Sequence, residues 1–153
     1  MTHIVELYVD QDNLLVSRAT DEQKQRIITD ILEDNSFYHD QHPGPYRVEV
    51  SIKENKIFFN IVCQTNKDDA TVMVSAPLQS LRRIIKDYSI VCDSYIQALQ
   101  TAEPTKVEAI DMGRRSIHNE GAEELQSSLE DRISMDFETY RKFFTLIYLL
   151  QRK

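Results

Sequence analysis

The clearest hydrophobic pattern lies in the middle of the chain, where two runs of alternating apolar and polar residues flank Glu54 and Asn55. Side chains alternate between the two faces of a strand, so the pattern predicts an antiparallel hairpin of Tyr46 to Lys53 with Lys56 to Gln64. Its buried face is expected to include Val48, Val50, Ile57, Phe59 and Ile61. The β-rich segments Ile4 to Val9 and Thr71 to Ser75 are expected to add strands.

Helical signals occupy most of the remaining chain. Thr20 and Gln23 form a capping-box pattern ahead of a first helix, which fades near Asn35. Pro77 suits the first turn of a long amphipathic helix of about two dozen residues. Pro104 starts the next helix.

The helix from Pro104 is expected to break near Asn119 to Gly121. A short extended piece follows at Ile133 to Met135, and Asp136 can cap a last helix from Phe137 to Gln151. The elements together predict an α+β fold, in which an antiparallel three- to four-stranded meander packs against a long helix and two to three further helices.

Length and composition set the outer limits of this prediction. A chain of 153 residues that is 41% hydrophobic has enough apolar material for one core, so we expect a single domain over residues 1–153. The net charge of −7 makes nucleic acid an unexpected partner, because sequence-independent binding needs a basic surface. The apolar run from Phe143 to Leu150 is far shorter than a membrane span. We expect a soluble, cytoplasmic protein with reduced thiols at Cys63 and Cys92.

Several common sites are excluded or weakened by the residues that the chain lacks. Its three glycines cannot supply a dinucleotide-binding fingerprint or a P-loop. His118-Asn119-Glu120 matches half of the zinc deaminase signature, but the cysteine half is missing. His39 and His42 have a spacing that could clip a metal in a helical turn, whereas Pro43 favours a solvated loop there. No metal site and no cofactor are therefore expected.

The segment from Glu108 to Gly121 holds the densest group of ionisable side chains. At 100° per residue, a helix places Asp111, Arg114, Arg115 and His118 on one arc, called here the polar arc, which overlaps an apolar stripe. Buried ionisable groups must be paired or neutralised. The arc is therefore either a structural network, in which Arg115 returns to Asp111 and Arg114 bonds to another element, or a ligand-binding or catalytic site.

A second basic group lies on the long helix, at Arg82, Arg83 and Lys86. In the simpler interpretation Arg83 pairs with Asp87 at i, i+4 and the other two are solvated. In the functional alternative, the group joins Arg114 and Arg115 as a receptor for a phosphate or carboxylate.

The last helix is apolar on nearly all sides from Phe143 to Leu150. Such a helix is either central in the core or uses one face to bind a partner. In the second case, a homodimer would form through Phe143, Ile147, Tyr148 and Leu149.

Several motifs along the chain resemble the uncharacterised protein family numbered 0262 in the UPF series. They are Asn35-Ser36-Phe37, Gly44-Pro45-Tyr46-Arg47, Arg82-Arg83-Ile84, Lys86-Asp87-Tyr88, Ser94-Tyr95, Glu108 to Arg115, His118-Asn119-Glu120-Gly121 and Phe144-Thr145-Leu146-Ile147. The resemblance implies a small, soluble, α-proteobacterial protein, and it implies no particular activity.

Two hypotheses about function follow from these observations. The first is a non-catalytic cytoplasmic module that binds a protein partner or a small anion through the polar arc, with Asn119 and the Arg82, Arg83 and Lys86 group as further candidate contacts. The second is a small enzyme that uses His118 as general acid or base, oriented by Asp111 or Glu120, on an anionic substrate.

Overall fold

The computed structural model describes residues 3–10, 21–64 and 70–151. In this part of the chain the strands are β1 (Ile4–Val9), β2 (Phe37–His39), β3 (Tyr46–Lys53), β4 (Lys56–Cys63), β5 (Ala70–Pro77) and β6 (Ile133–Met135). The helices are α1 (Asp21–Glu33), α2 (Gln79–Thr101), α3 (Pro104–Leu129) and α4 (Phe137–Gln151). The α+β class is confirmed. The cap predicted at Thr20 lies outside the described residues.

The predicted hairpin is confirmed, and β5 extends it into a meander. β3 and β4 pair antiparallel with Val48 opposite Ile61 and Val50 opposite Phe59, and all four side chains are fully buried. Glu54 and Asn55 both have positive φ, at 52° and 65°, which is the conformation of a two-residue turn that matches strand twist.

Strand β1, the fourth strand of this sheet, corrects the prediction of an all-antiparallel sheet. The strand order is β1-β3-β4-β5, and β1 pairs with β3 in parallel. A parallel pair needs a crossover connection, which here contains α1 and β2. The side chain of Asn35, just after α1, bonds to the backbone N–H and C=O of Ile4 at 2.7 and 3.1 Å, so it ties the crossover to the first strand.

A separate two-stranded ribbon joins β2 and β6 in antiparallel pairing, so the short extended segment at Ile133 to Met135 is confirmed. The solvated loop predicted around His39 is wrong in one respect, because His39 itself is buried. Its backbone N–H donates to the Tyr46 hydroxyl at 3.0 Å, and its Nδ1 accepts from the N–H of Gln41 at 3.2 Å. The ribbon therefore gives His39 a structural position.

Helix α4 occupies the centre of the core, as one of the two alternatives predicted. Asp136 caps it by accepting from the backbone N–H of Thr139 at 3.2 Å. Phe143 packs edge-on against Phe59 of the sheet, with ring centroids 5.6 Å apart. Phe143, Ile147, Tyr148 and Leu149 are all buried within the same chain. The homodimer surface proposed for these four residues is wrong, because helix α4 exposes none of them to a second copy.

Two helix boundaries also differ from the predictions. Pro77 ends strand β5, and α2 begins only at Gln79. Helix α3 continues without a break through Asn119 to Gly121. Gly121 is needed for packing here, because a Cβ at this position would overlap the ring of Phe144. The absence of a side chain lets α4 approach α3 closely.

Helices α2 and α3 form an antiparallel pair that extends beyond α4. Thr145 of α4 lies opposite His118 of α3. Only six residues of α4 follow Thr145, whereas fourteen residues of α3 precede His118. At 1.5 Å per residue, α3 therefore extends about 12 Å past the end of α4. Residues 92–111 are called the hairpin overhang below.

Candidate functional site

His118 is the innermost member of the polar arc, on the side of α3 that faces α4. Its Nε2 lies 2.7 Å from the Thr145 hydroxyl, which itself donates to the Arg141 carbonyl at 3.2 Å. The guanidinium Nε–H of Arg141 donates to Nδ1 at 3.3 Å. Because the hydroxyl hydrogen is already used, Nε2 carries the ring proton and donates it to Thr145. This assigns the neutral Nε2–H tautomer.

The surroundings of His118 stabilise its neutral form. Burial, followed by the positive charges of Arg141 and Arg114, lowers its pKa to about 4. Tyr88 and Phe144 pack against the ring, with centroids at 5.4 and 5.3 Å. With both nitrogens bonded and the ring neutral at pH 7, His118 has no free lone pair with which to accept a proton.

Asp111 connects the two arginines of the arc. Its Oδ1 accepts from the Nε and Nη2 of Arg114 at 3.0 and 2.6 Å, and its Oδ2 lies 2.8 Å from Nη2 of Arg115. The hydrogen bonds from Arg114 are the main reason that the pKa of Asp111 falls below its usual value. The predicted i, i+4 pair of Arg115 with Asp111 is thus present.

Arg114 also reaches across to α2, as expected for a structural network. Its guanidinium lies 5.0 Å from the centre of the Tyr95 ring, within the range of a cation–π contact. Its positive charge also acts on Tyr88, although burial of the phenol raises the pKa of Tyr88 to about 12. Arg114 therefore links Asp111 of α3 to Tyr95 of α2.

Glu120, a candidate partner for His118, turns to the other side of α3. Its carboxylate accepts from Nη2 of Arg83 at 2.9 Å, and Nη1 of Arg83 also lies 3.4 Å from Asp87. The predicted Arg83–Asp87 pair is therefore present. Because Glu120 binds α2, it is not positioned to orient His118.

The remaining basic side chains do not join the arc. Arg82 bonds to Asn55 in the β3–β4 turn, and Lys86 is exposed without an ion pair among the described residues. The structure thus gives Arg82 and Arg83 partners other than those of Arg114 and Arg115. The combined anion receptor keeps no geometric support.

Asn119 has an unsatisfied acceptor. Its Oδ1 is the buried side-chain oxygen that lacks a hydrogen-bond partner within the described residues. Leaving such an atom unpaired costs about 1–3 kcal/mol. A donor supplied to this oxygen, by water or by another molecule, would therefore be bound favourably.

Sequence reasoning missed the partners that seal the arc. Tyr88 and Tyr95 come from α2, while Arg141 and Thr145 come from α4. Arg141 and Thr145 are one turn apart on α4, and that spacing was the available signal. Asp111, Arg114 and His118 are thus paired within the chain, while the Arg115 side chain remains 66% exposed, and this pairing favours the structural alternative.

The described residues also lack two other kinds of feature. Within residues 3–10, 21–64 and 70–151, no three side chains of the metal-ligating types come together as a cation site. In the same ranges, no helix has both the length and the apolar character needed to cross a bilayer.

Comparison with known proteins identifies the family. Residues 1–153 match the family described as Uncharacterised protein family (UPF0262). The chain is 41% identical over 146 residues to UPF0262 proteins of Brucella anthropi and Brucella canis, which covers 93% of this chain and 90% of each relative. A UPF0262 protein of Brucella suis is 40% identical over the same length. No solved structure matches the chain. These matches confirm the resemblance noted from the motifs, and the chain belongs to the UPF0262 family.

Proposed function

We propose that the protein is a non-catalytic binding module whose hairpin overhang takes up an amphipathic helix of a partner protein. The carrying observation is that the apolar stripe of α2 continues past the end of α4. Leu81 and Leu99 are five helical turns apart and project from the same side of α2, yet Leu81 is 1% exposed and Leu99 is 58% exposed. Ile96, beside Leu99 on this stripe, is 52% exposed.

The inner part of the same groove shows which chemistry fits it. There, α4 lays Phe144 and Tyr148 against Tyr88, at ring distances of 5.6 and 4.8 Å. A helix with apolar residues at i, i+3 or i+4, and i+7 would use the outer groove as α4 uses the inner one.

The edge of the overhang adds a charge preference. Asp111 neutralises only one of the two guanidiniums that it binds, and the Arg115 side chain remains 66% exposed. Asp111, Arg114 and Arg115 together therefore carry one net positive charge at the groove margin. A carboxylate on the partner helix is favoured there.

The polar arc supports this function by holding the overhang in place. Arg114 links α3 to Tyr95 within the overhang, while His118 anchors the same helix to α4. A pre-organised groove loses less entropy when it binds. We also propose a cytoplasmic location, which Cys63 and Cys92 support because neither forms a disulfide, and reduced thiols persist in reducing compartments.

The experiment is a selection of displayed helical peptides, randomised at apolar and acidic positions, against the purified chain. We expect enriched peptides with an i, i+3 or i+4, i+7 apolar pattern and an acidic flank. Their binding should be lost with Leu99→Asp and retained with the matched control Met73→Asp, which changes a 62% exposed residue of strand β5.

Enriched peptides that bind the Leu99→Asp variant as well as the original chain would overturn the proposal, as would the absence of any enrichment. A second arm tests small anions by thermal unfolding. We expect phosphate and citrate to leave the unfolding temperature unchanged. A rise that Arg115→Ala abolishes would favour the anion-binding alternative instead.

A further inference from the structure

One flank of α3 is exposed throughout the outer part of the helix. It is formed by Thr105, Glu108, Met112 and Arg115, whose spacing of three, four and three residues places them on one side. All four are exposed, and Met112 is 65% exposed, the highest value among the large hydrophobic side chains of the described residues. This set is called the α3 flank.

The charges of the α3 flank are arranged in a self-complementary way. Glu108 forms no ion pair with the described residues, and Arg115 binds Asp111 through Nη2 while its side chain remains largely exposed. These opposite charges lie about two turns apart, one on each side of Met112. A half-turn about an axis near Met112 exchanges their positions.

We propose that two copies of the chain associate through the α3 flank, with the two α3 helices antiparallel and Met112 of both copies at the centre. Glu108 of each copy then faces Arg115 of the other, so the interface contains two equivalent ion pairs. This is the isologous contact of a twofold dimer. The apolar side chain of Met112 is removed from water at the centre, where its flexible thioether can adapt to an identical surface.

The backbone beside Met112 permits close approach. Ala109 is exposed, and a Cβ added at Gly113 would meet nothing within 4 Å. No close contact within the chain therefore requires a glycine at position 113. Small residues next to the contact let a second helix lie near the first.

This inference goes beyond the proposed function, because Glu108 and Met112 of the α3 flank lie apart from the α2 stripe that carries Ile96 and Leu99; Arg115 lies between the two surfaces. A dimer of this kind would present two helix-binding grooves to one partner. The deciding variants differ, Leu99→Asp for the groove and Met112→Asp for the α3 flank, so the failure of one proposal does not imply the failure of the other.

The first measurement is the mass in solution by light scattering and sedimentation equilibrium at concentrations up to about 100 µM, a range that detects moderate dimers. The expected mass is twice the chain mass of 17.9 kDa. Met112→Asp should return it to the chain mass, whereas Met73→Asp and Leu99→Asp should leave the dimer intact. A monomer over the whole range, or a dimer that Met112→Asp does not dissociate, would overturn the inference.

Charge reversal tests the pairing itself. Glu108→Arg and Arg115→Glu, taken singly, each place like charges opposite one another in a homodimer and should weaken it. Mixing these two variants should restore a dimer, because all facing charges are then opposite. The double variant should also dimerise, since both signs are exchanged. If mixing yields no dimer although each single variant remains folded by circular dichroism, this pairing is wrong.

Discussion

The inner and outer halves of α2 carry the same apolar stripe and have opposite environments. In the inner half Leu81 is buried, and beside it on α3 Leu125 is buried and Gly121 lies against Phe144. In the outer half, within the hairpin overhang, Ile96 and Leu99 are exposed. A periodic apolar stripe therefore shows which side of a helix faces inward, and the length of the covering helix decides how far that burial extends.

The sharpest test of this comparison uses the same substitution on the same side of α2. Leu81→Ala should reduce the free energy of unfolding by about 2–5 kcal/mol, because it leaves a cavity beneath the helix. Leu99→Ala should change it by less than about 0.5 kcal/mol, since a largely exposed side chain loses little burial. Urea unfolding at low protein concentration, where the chain is monomeric, measures both.

Equal losses for the two leucines would show that the overhang is covered within a single chain, and would contradict the comparison. A large loss for Leu99→Ala that appears only at high protein concentration would instead show that another chain covers it.

Acid should weaken the inner half through His118. Its pKa is about 4 in the folded protein and about 6.5 in the unfolded chain, so the unfolded state binds more protons between these values. The contribution is fully present above pH 6.5 and is lost as the pH falls toward 4, up to about 3 kcal/mol. Unfolding free energies measured by urea between pH 7 and pH 4 should show this loss.

The control is His118→Gln, whose amide can still donate to Thr145 but does not titrate. This variant should be less stable at pH 7 and should lose less stability between pH 6.5 and 4. Parallel pH profiles for the two proteins would contradict the assigned neutral state. Asp111 acts in a lower range, because its lowered pKa means that its stabilisation is lost only below the usual carboxyl value.

The sheet was predictable from the sequence because its signals are local. Alternation over Tyr46 to Cys63 and the turn at Glu54 and Asn55 determine both the pairing and the buried face. The parallel pairing of β1 was not predictable in the same way. It depends on where the crossover through α1 returns the chain, and no short window of sequence contains that information.

Within the polar arc the Arg115–Asp111 pair was predicted correctly, and the partners of His118 were not predicted. Helical spacing places Asp111, Arg114 and Arg115 together within one element, so their ion pairs can be read from the sequence. The contacts of His118 with Thr145 and Arg141 join residues more than twenty positions apart. Such contacts follow from packing between helices, which the sequence pattern leaves open.

The glycines of α3 provide the smallest and most local test of the comparison. Gly113→Ala should raise the free energy of unfolding by about 0.5–1 kcal/mol, because alanine is the better helix former and its Cβ meets nothing. Gly121→Ala should lower it by about 1–3 kcal/mol despite the same gain in helix propensity, since the new methyl group overlaps the ring of Phe144. Both values come from urea unfolding of dilute protein.

Replacing Phe144 by Leu alongside Gly121→Ala should recover part of the loss. This control separates overlap with the ring from a general intolerance of the helix to substitution at position 121. If Gly113→Ala also lowers the free energy of unfolding, its Cβ meets a neighbour, and this side of the overhang is not free as described here.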